Sequence, residues 1–145
     1  MTQLYDRIQL PAITKAPEFI LPKTYKGFST LSSKAEHYSL YDFELIKQDI
    51  LNHFHIRQGE RLMQPTFGTI IWDMLFEPMT AETKAIITED VNRIINYDPR
   101  VQINDTNIST YETGIQLVFT LSYSIYNVSE TIQLRFDEDN GLSTR

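Results

Sequence analysis

The sequence predicts an α+β domain: two main helices packed on a small antiparallel sheet, with an extended N-terminal arm ahead of them. Three observations carry that reading. Two separate segments repeat apolar residues every three or four positions, the spacing of one helix face. A later segment places an apolar residue at every second position without a miss from Ile115 to Ile125, the spacing of a half-buried strand. The first 38 residues hold three of the six prolines and show no sustained period. The expected boundaries are residues 1–38 for the arm and 39–145 for the domain.

Pro11, Pro17 and Pro22 each fix φ and remove a backbone donor, so no long helix or central strand fits the arm. Leu10, Ile13, Phe19, Ile20, Leu21, Tyr25, Phe28 and Leu31 are more apolar than a solvated tail carries, so the arm is expected to pack against its own body or a partner. A first helix is expected from about Leu40 to His55. Ser39 reads as its N-cap and Asp42 as support for its first turn. Leu40, Phe43, Ile46, Ile50 and Phe54 form its apolar stripe, and Gly59 is read as its end. Arg57 to Gly68 holds two glycines and a proline and reads as a structured loop. A short apolar segment, Thr69 to Phe76, is expected to make a helical turn or two before Pro78. Its Trp72, Leu75 and Phe76, with Phe67, are assigned to the core. A second full helix is expected from Ala81 to Asn96, capped by Thr80, with Ile87, Val91, Ile94 and Ile95 buried; Pro99 prevents its continuation.

From Arg100 the period becomes two. Val101 and Ile103 open a strand, and a turn at Glu112-Thr113-Gly114 leads into the Ile115–Ile125 alternation. A third strand, Ser129 to Phe136, is joined by a short hairpin link. Thr120, Ser122 and Gln133 face away from the helices, and Asp137 to Arg145 is expected to fray. Three strands leave two unpaired edges, which invite a strand from another chain.

Composition narrows the function. The chain has 145 residues, 41% hydrophobic and 22% charged, enough for one domain with a real core. The absence of cysteine excludes disulfides, thiol catalysis and cysteine-ligated zinc. Net charge is −6, split as +2 over residues 1–38 and −8 over the rest, which argues against a nucleic-acid surface. No apolar run approaches the ~18 residues of a membrane span. MTQLYDRIQLPAIT lacks a signal peptide's apolar stretch, so synthesis and folding in a cytoplasm are expected, without membrane partners. His53 and His55, two apart on a helix, point to different faces and read as surface residues at a helix end; with His37 they make no metal site. No cofactor motif appears.

The segment Leu40–Arg100 resembles the baseplate wedge and sheath-initiator family of contractile-tailed bacteriophages, shared with a type VI secretion baseplate subunit. The matching pieces are Arg57-Gln58-Gly59-Glu60-Arg61, Pro65-Thr66-Phe67-Gly68, Leu75-Phe76-Glu77-Pro78 and Asp98-Pro99-Arg100. The resemblance implies a structural subunit of the virion tail baseplate. It implies docking on larger wedge proteins through the first helix and templating of the tail sheath through the C-terminal strands. Other wedge proteins and the sheath protein are the implied partners, with hub or tube proteins as further neighbours, and the arm is expected to lie over neighbouring subunits and order on assembly. The partner-binding candidates are Leu40, Phe43, Ile50, Arg61, Asp98, Pro99 and Arg100. The family usually has Glu-Pro-Arg where this chain has Asp98-Pro99-Arg100; docking and an internal ion pair are both open roles for that arginine. Arg57, Gly59, Glu60 and Arg61 likewise read as a loop held by Arg–Glu pairs or as a partner contact, glycine permitting the positive φ such a turn needs. The family has sometimes been labelled lysozyme-like, which makes a peptidoglycan-degrading muramidase the rival reading. It would need two carboxyls straddling the bond, and Glu60, Asp73 and Glu77 are the candidates.

Overall fold

Alternation along one strand organises the molecule. The computed structural model describes residues 23–29 and 39–144. The expectations made for residues 1–22 and 30–38, and for His37, lie outside the described residues. Lys26–Phe28 (β1) pairs antiparallel with Ser39–Tyr41 (β2). Asp42–His55 (α1), Ile71–Met74 (α2) and Ala81–Asn96 (α3) follow. Val101–Tyr111 (β3), Gly114–Tyr123 (β4), Val128–Asp137 (β5) and Gly141–Thr144 (β6) form a four-stranded antiparallel meander in that order.

Ile115, Leu117, Phe119, Leu121 and Tyr123 of β4 are buried on one face, beside Ile132, Leu134 and Phe136 of β5. Ile46, Ile50 and Phe54 of α1 and Ile87, Val91, Ile94 and Ile95 of α3 close over that face. Phe54 reaches Phe119 and Phe136 at ring-centroid distances of 5.8 and 6.2 Å. Burying each such side chain contributes about 1.5–3 kcal/mol, which is what holds helices to sheet. Thr120, Ser122 and Gln133 lie on the far face, where the Thr120 and Thr131 hydroxyls bond across strands at 3.0 Å. Lys47 of α1 also forms an ion pair with Glu130 of β5.

The expected α+β architecture is therefore present, and Thr80 caps α3 as expected by accepting from the Thr83 N–H. Several expectations are corrected. Ser39 is a β2 residue and α1 begins after Tyr41, with no side-chain cap. Asp42 turns away from its own helix to bond distant groups. Helix α1 stops at an extended Ile56 rather than at Gly59, which instead sits in the loop at φ 91°. Strand β4 ends at Tyr123, so Ile125 falls in the following turn and is 51% exposed. The C-terminal segment pairs with β5 instead of fraying, because Asp137 accepts the Asp139 and Asn140 N–H groups and folds the chain back. Phe76 is 75% exposed, outside the core. His53 is buried rather than on the surface.

Candidate functional site

The loop between α1 and α2 is held in place by α3. Asp90, buried, accepts from the Thr69 hydroxyl at 2.7 Å and the Ile70 N–H at 3.0 Å. Arg93, one turn on, bonds the same carboxylate and donates to the carbonyls of Thr66 at 2.8 Å and Gly68 at 2.7 Å. Gly68 stands at φ 101°, and a Cβ there would lie 2.6 Å from the Ile56 carbonyl oxygen, so only glycine fits. Within the loop the Glu60 carboxylate accepts the Arg57 N–H at 3.0 Å, while the Arg57 side chain pairs with Asp73. The loop is thus held by backbone bonds and an Arg–Asp pair, not by Arg–Glu side-chain pairing. Arg61 makes no ion pair among the described residues; it lies 4.3 Å over the Phe67 ring and donates to Gln64 at 3.2 Å.

Asp98-Pro99-Arg100 forms the corner from α3 into β3. Pro99 cannot continue the helix. The Asp98 carboxylate accepts the Arg100 backbone N–H at 3.0 Å and the Arg100 Nε at 2.8 Å. Arg100 also reaches Asp49 of α1 at 3.1 Å, so one guanidinium ties three elements. Burial pushes the Asp98 carboxyl up, but the side-chain and backbone bonds from Arg100 outweigh it and hold the group below its ordinary value. The bond from Asp98 raises the Arg100 pKa, keeping the fork charged.

These pieces border one open groove of about 810 Å³, lined by Asp49, His53, Arg61, Phe67, Tyr97 and the Asp98–Arg100 corner, among others. His53 stacks on Phe67 at 3.8 Å with an interplanar angle of 11°, and Tyr97 meets both rings edge-on. Burial lowers the His53 pKa to about 4, assisted by Arg93 and Arg61 and opposed by Asp90. Its Nε2 has no hydrogen-bond partner among the described residues. The neutral ring therefore acts as an apolar wall.

Five of the seven residues singled out from sequence line this groove: Ile50, Arg61, Asp98, Pro99 and Arg100. Ile50 is only 3% exposed, so it forms the groove's floor and belongs to the core. Leu40 and Phe43 do not reach it. Leu40 sits in β2 opposite Gly27, and Phe43, 39% exposed, packs against Tyr123 and Tyr126. Sequence reasoning missed Phe67 and Tyr97 as groove residues and Asp90 and Arg93 as the loop's support. A polar Asp90 inside the apolar Ile87–Val91 face was the available signal. Among the muramidase candidates, Asp73 is committed to Arg57 and Glu60 to the loop backbone, while Glu77 is exposed. No group of three or more metal-ligating side chains is assembled among the described residues, and none of their helices is long and apolar enough to cross a membrane.

Fold and groove define a class first: a small α+β module with an open groove, walled in part by an arginine whose charge Asp98 and Asp49 offset. The chain belongs to the family of baseplate wedge protein gp25, which matches residues 42–129, and is thus a component of a phage tail baseplate. Over 89 residues it is 27% identical to the baseplate wedge protein gp25 of Enterobacteria phage T4, covering 61% of this chain and 67% of that protein. Its fold is similar to that of a Geobacter sulfurreducens protein given the provisional name tail lysozyme, with a TM-score of 0.57, 22% identity, and coverage of 65% of this chain and 88% of that one. Family membership implies assembly with other baseplate proteins.

Proposed function

We propose that this chain is a non-enzymatic wedge subunit that receives a larger wedge protein in the groove beside Arg100 and offers the outer edge of β3 to the first sheath ring. The supporting observation is the convergence of Arg61, Tyr97 and the Asp98–Arg100 corner on one open face. Arg100 is neutralised by Asp98 and Asp49, so it stiffens the groove wall. Arg61, without an ion pair among the described residues, is the cation left to meet a partner carboxylate, and Phe67 and Tyr97 supply apolar area around it. Ile46, Ile50 and Phe54 of the α1 stripe are buried inside, so the helix contributes its groove-facing side and the exposed Phe43 to docking.

For the sheath, β3 and β6 are the two edges of the four-stranded sheet. β6 has four residues. β3 has eleven, and beyond the irregularity at Ile103/Asp105 its register runs without a break to Tyr111. A long regular edge is the better template for strand addition. In the assembled tail the part of the arm ahead of Lys23 reaches neighbouring subunits, while residues 23–29 stay on this chain's own body.

Arg61→Glu is expected to abolish co-purification with the larger wedge proteins while leaving the melting temperature unchanged; full retention of binding would remove the groove from the account. Paired Asn107→Lys and Ser109→Lys changes on the β3 edge are expected to block sheath polymerisation on complete baseplates. Normal sheath growth from such baseplates would exclude this edge. Peptidoglycan hydrolysis by the purified chain, lost in Glu60→Gln or Glu77→Gln, would overturn the non-enzymatic reading.

A further inference from the structure

Asp42 is the first residue of α1, yet it does not serve that helix. It stands at φ 51°, a left-handed conformation that side-chain-bearing residues rarely adopt. In that posture its Oδ1 accepts the Thr24 N–H at 2.8 Å, the Tyr25 N–H at 2.9 Å and the Tyr126 hydroxyl at 2.6 Å. Its own N–H donates to the Tyr25 carbonyl at 3.1 Å. One carboxylate that is 7% exposed thus gathers a segment 17 and 18 residues upstream and a turn 84 residues downstream. The bonds are charge-assisted, the stronger kind.

The segment so held continues as a strap. Lys26–Phe28 pairs with Ser39–Tyr41. Gly27 crosses α1 so closely that a Cβ would come within 2.3 Å of the Leu45 side chain. The Lys23 ammonium lies 4.2 Å from the Tyr41 ring centre. The Tyr25 ring lies 5.3 Å from the Arg100 guanidinium carbon. The strap therefore touches the arginine that stiffens the groove.

We propose that Asp42 is a positioning residue: its carboxylate pins residues 23–29 across the start of α1 and sets Tyr25 against Arg100, so that the strap becomes part of the wall beside the groove. The pinning stands on its own geometry; its consequence for docking rests on the groove reading above.

The test uses the full-length chain with Asp42→Gly, which tolerates the same φ without the carboxylate, and Tyr126→Phe, which removes one donor. The readouts are amide hydrogen exchange, tryptic cleavage after Lys26, and binding to the larger wedge proteins. Asp42→Gly is expected to speed exchange across residues 24–28 at least tenfold and open the Lys26 site, with β4 and β5 amides still protected. Tyr126→Phe is expected to do the same more weakly, and wedge binding is expected to fall several-fold in Asp42→Gly. Unchanged exchange at residues 24–28 in both variants would overturn the pinning, as would loosening of strap and sheet together in both. A released strap with undiminished wedge binding would overturn the coupling to the groove. Loss of binding in Arg61→Glu with a protected strap reports on the groove alone, so the two readings fail separately.

Discussion

Two aspartate–arginine pairs on α3 and its end have the same chemistry and different fates. Asp90 and Arg93 lie three residues apart, with side chains 3% and 39% exposed. Beyond their mutual pair they bond the Thr69 hydroxyl and the backbone of Thr66, Gly68 and Ile70. Asp98 and Arg100, 13% and 25% exposed, face the groove, and their third partner Asp49 is 49% exposed. The first pair sets the shape of the loop. The second holds a corner and leaves a charged wall next to solvent. Burial of the carboxylates, and whether the arginine's remaining donors go to the loop backbone or to an exposed Asp49, separates the two pairs more than their identity does.

The sharpest way to break this comparison is Asp90→Ala. Arg93, the Thr69 hydroxyl and the Ile70 N–H would all lose their acceptor, and a loss of about 3 kcal/mol is expected in denaturant unfolding. Wedge binding should fall with it, because Arg61 and Phe67 ride on the loop. Next comes His53, which stacks on Phe67 and meets Tyr97 edge-on. Its folded pKa of about 4 lies below the ordinary 6.5. As pH falls from 6.5 towards 4, the unfolded chain takes up a proton that the folded chain refuses, so stability drops across that window and the penalty is complete below it. His53→Phe keeps the stack on Phe67 and removes the orphan nitrogen. It should be more stable than the native chain at pH 5, relative to pH 8, by about 2 kcal/mol. Parallel pH profiles for the two would contradict this. The smallest effect is expected for Arg100→Ala, about 1 kcal/mol in unfolding, since the pair is partly solvated. Its larger consequence should be weakened wedge assembly; unchanged assembly at near-native stability would leave the corner a purely internal clamp.

The same contrast explains what the sequence made legible. Helix α3 and strands β4 and β5 announce themselves through long, regular periods and, for α3, a threonine cap, because one buried face repeats along each. The Arg57–Arg61, Asp98 and Arg100 motifs were visible as motifs. Their convergence was not, since it depends on α3 reaching across to residues 66–70. Asp42 was read as a helix-start residue from its position, but its bonds go to residues 24, 25 and 126, separations no local pattern encodes. His53 was placed at the surface because a lone histidine near a helix end carries no sign of the Phe67 ring that covers it. Strand β6 was missed because four mostly polar residues carry almost no period, although Asn140-Gly141 is a hairpin turn signal. Phe76 was assigned inward as an aromatic at helical spacing, but α2 ends at Met74 and the structure shows it outward.

Cryo-electron microscopy of the assembled tail puts the proposed role to the most direct trial. A chain from a larger wedge protein should fill the channel against Arg61 and Tyr97, and a sheath strand should run along Thr106–Tyr111. A tail in which this subunit is attached elsewhere, with that channel open to solvent, would contradict it.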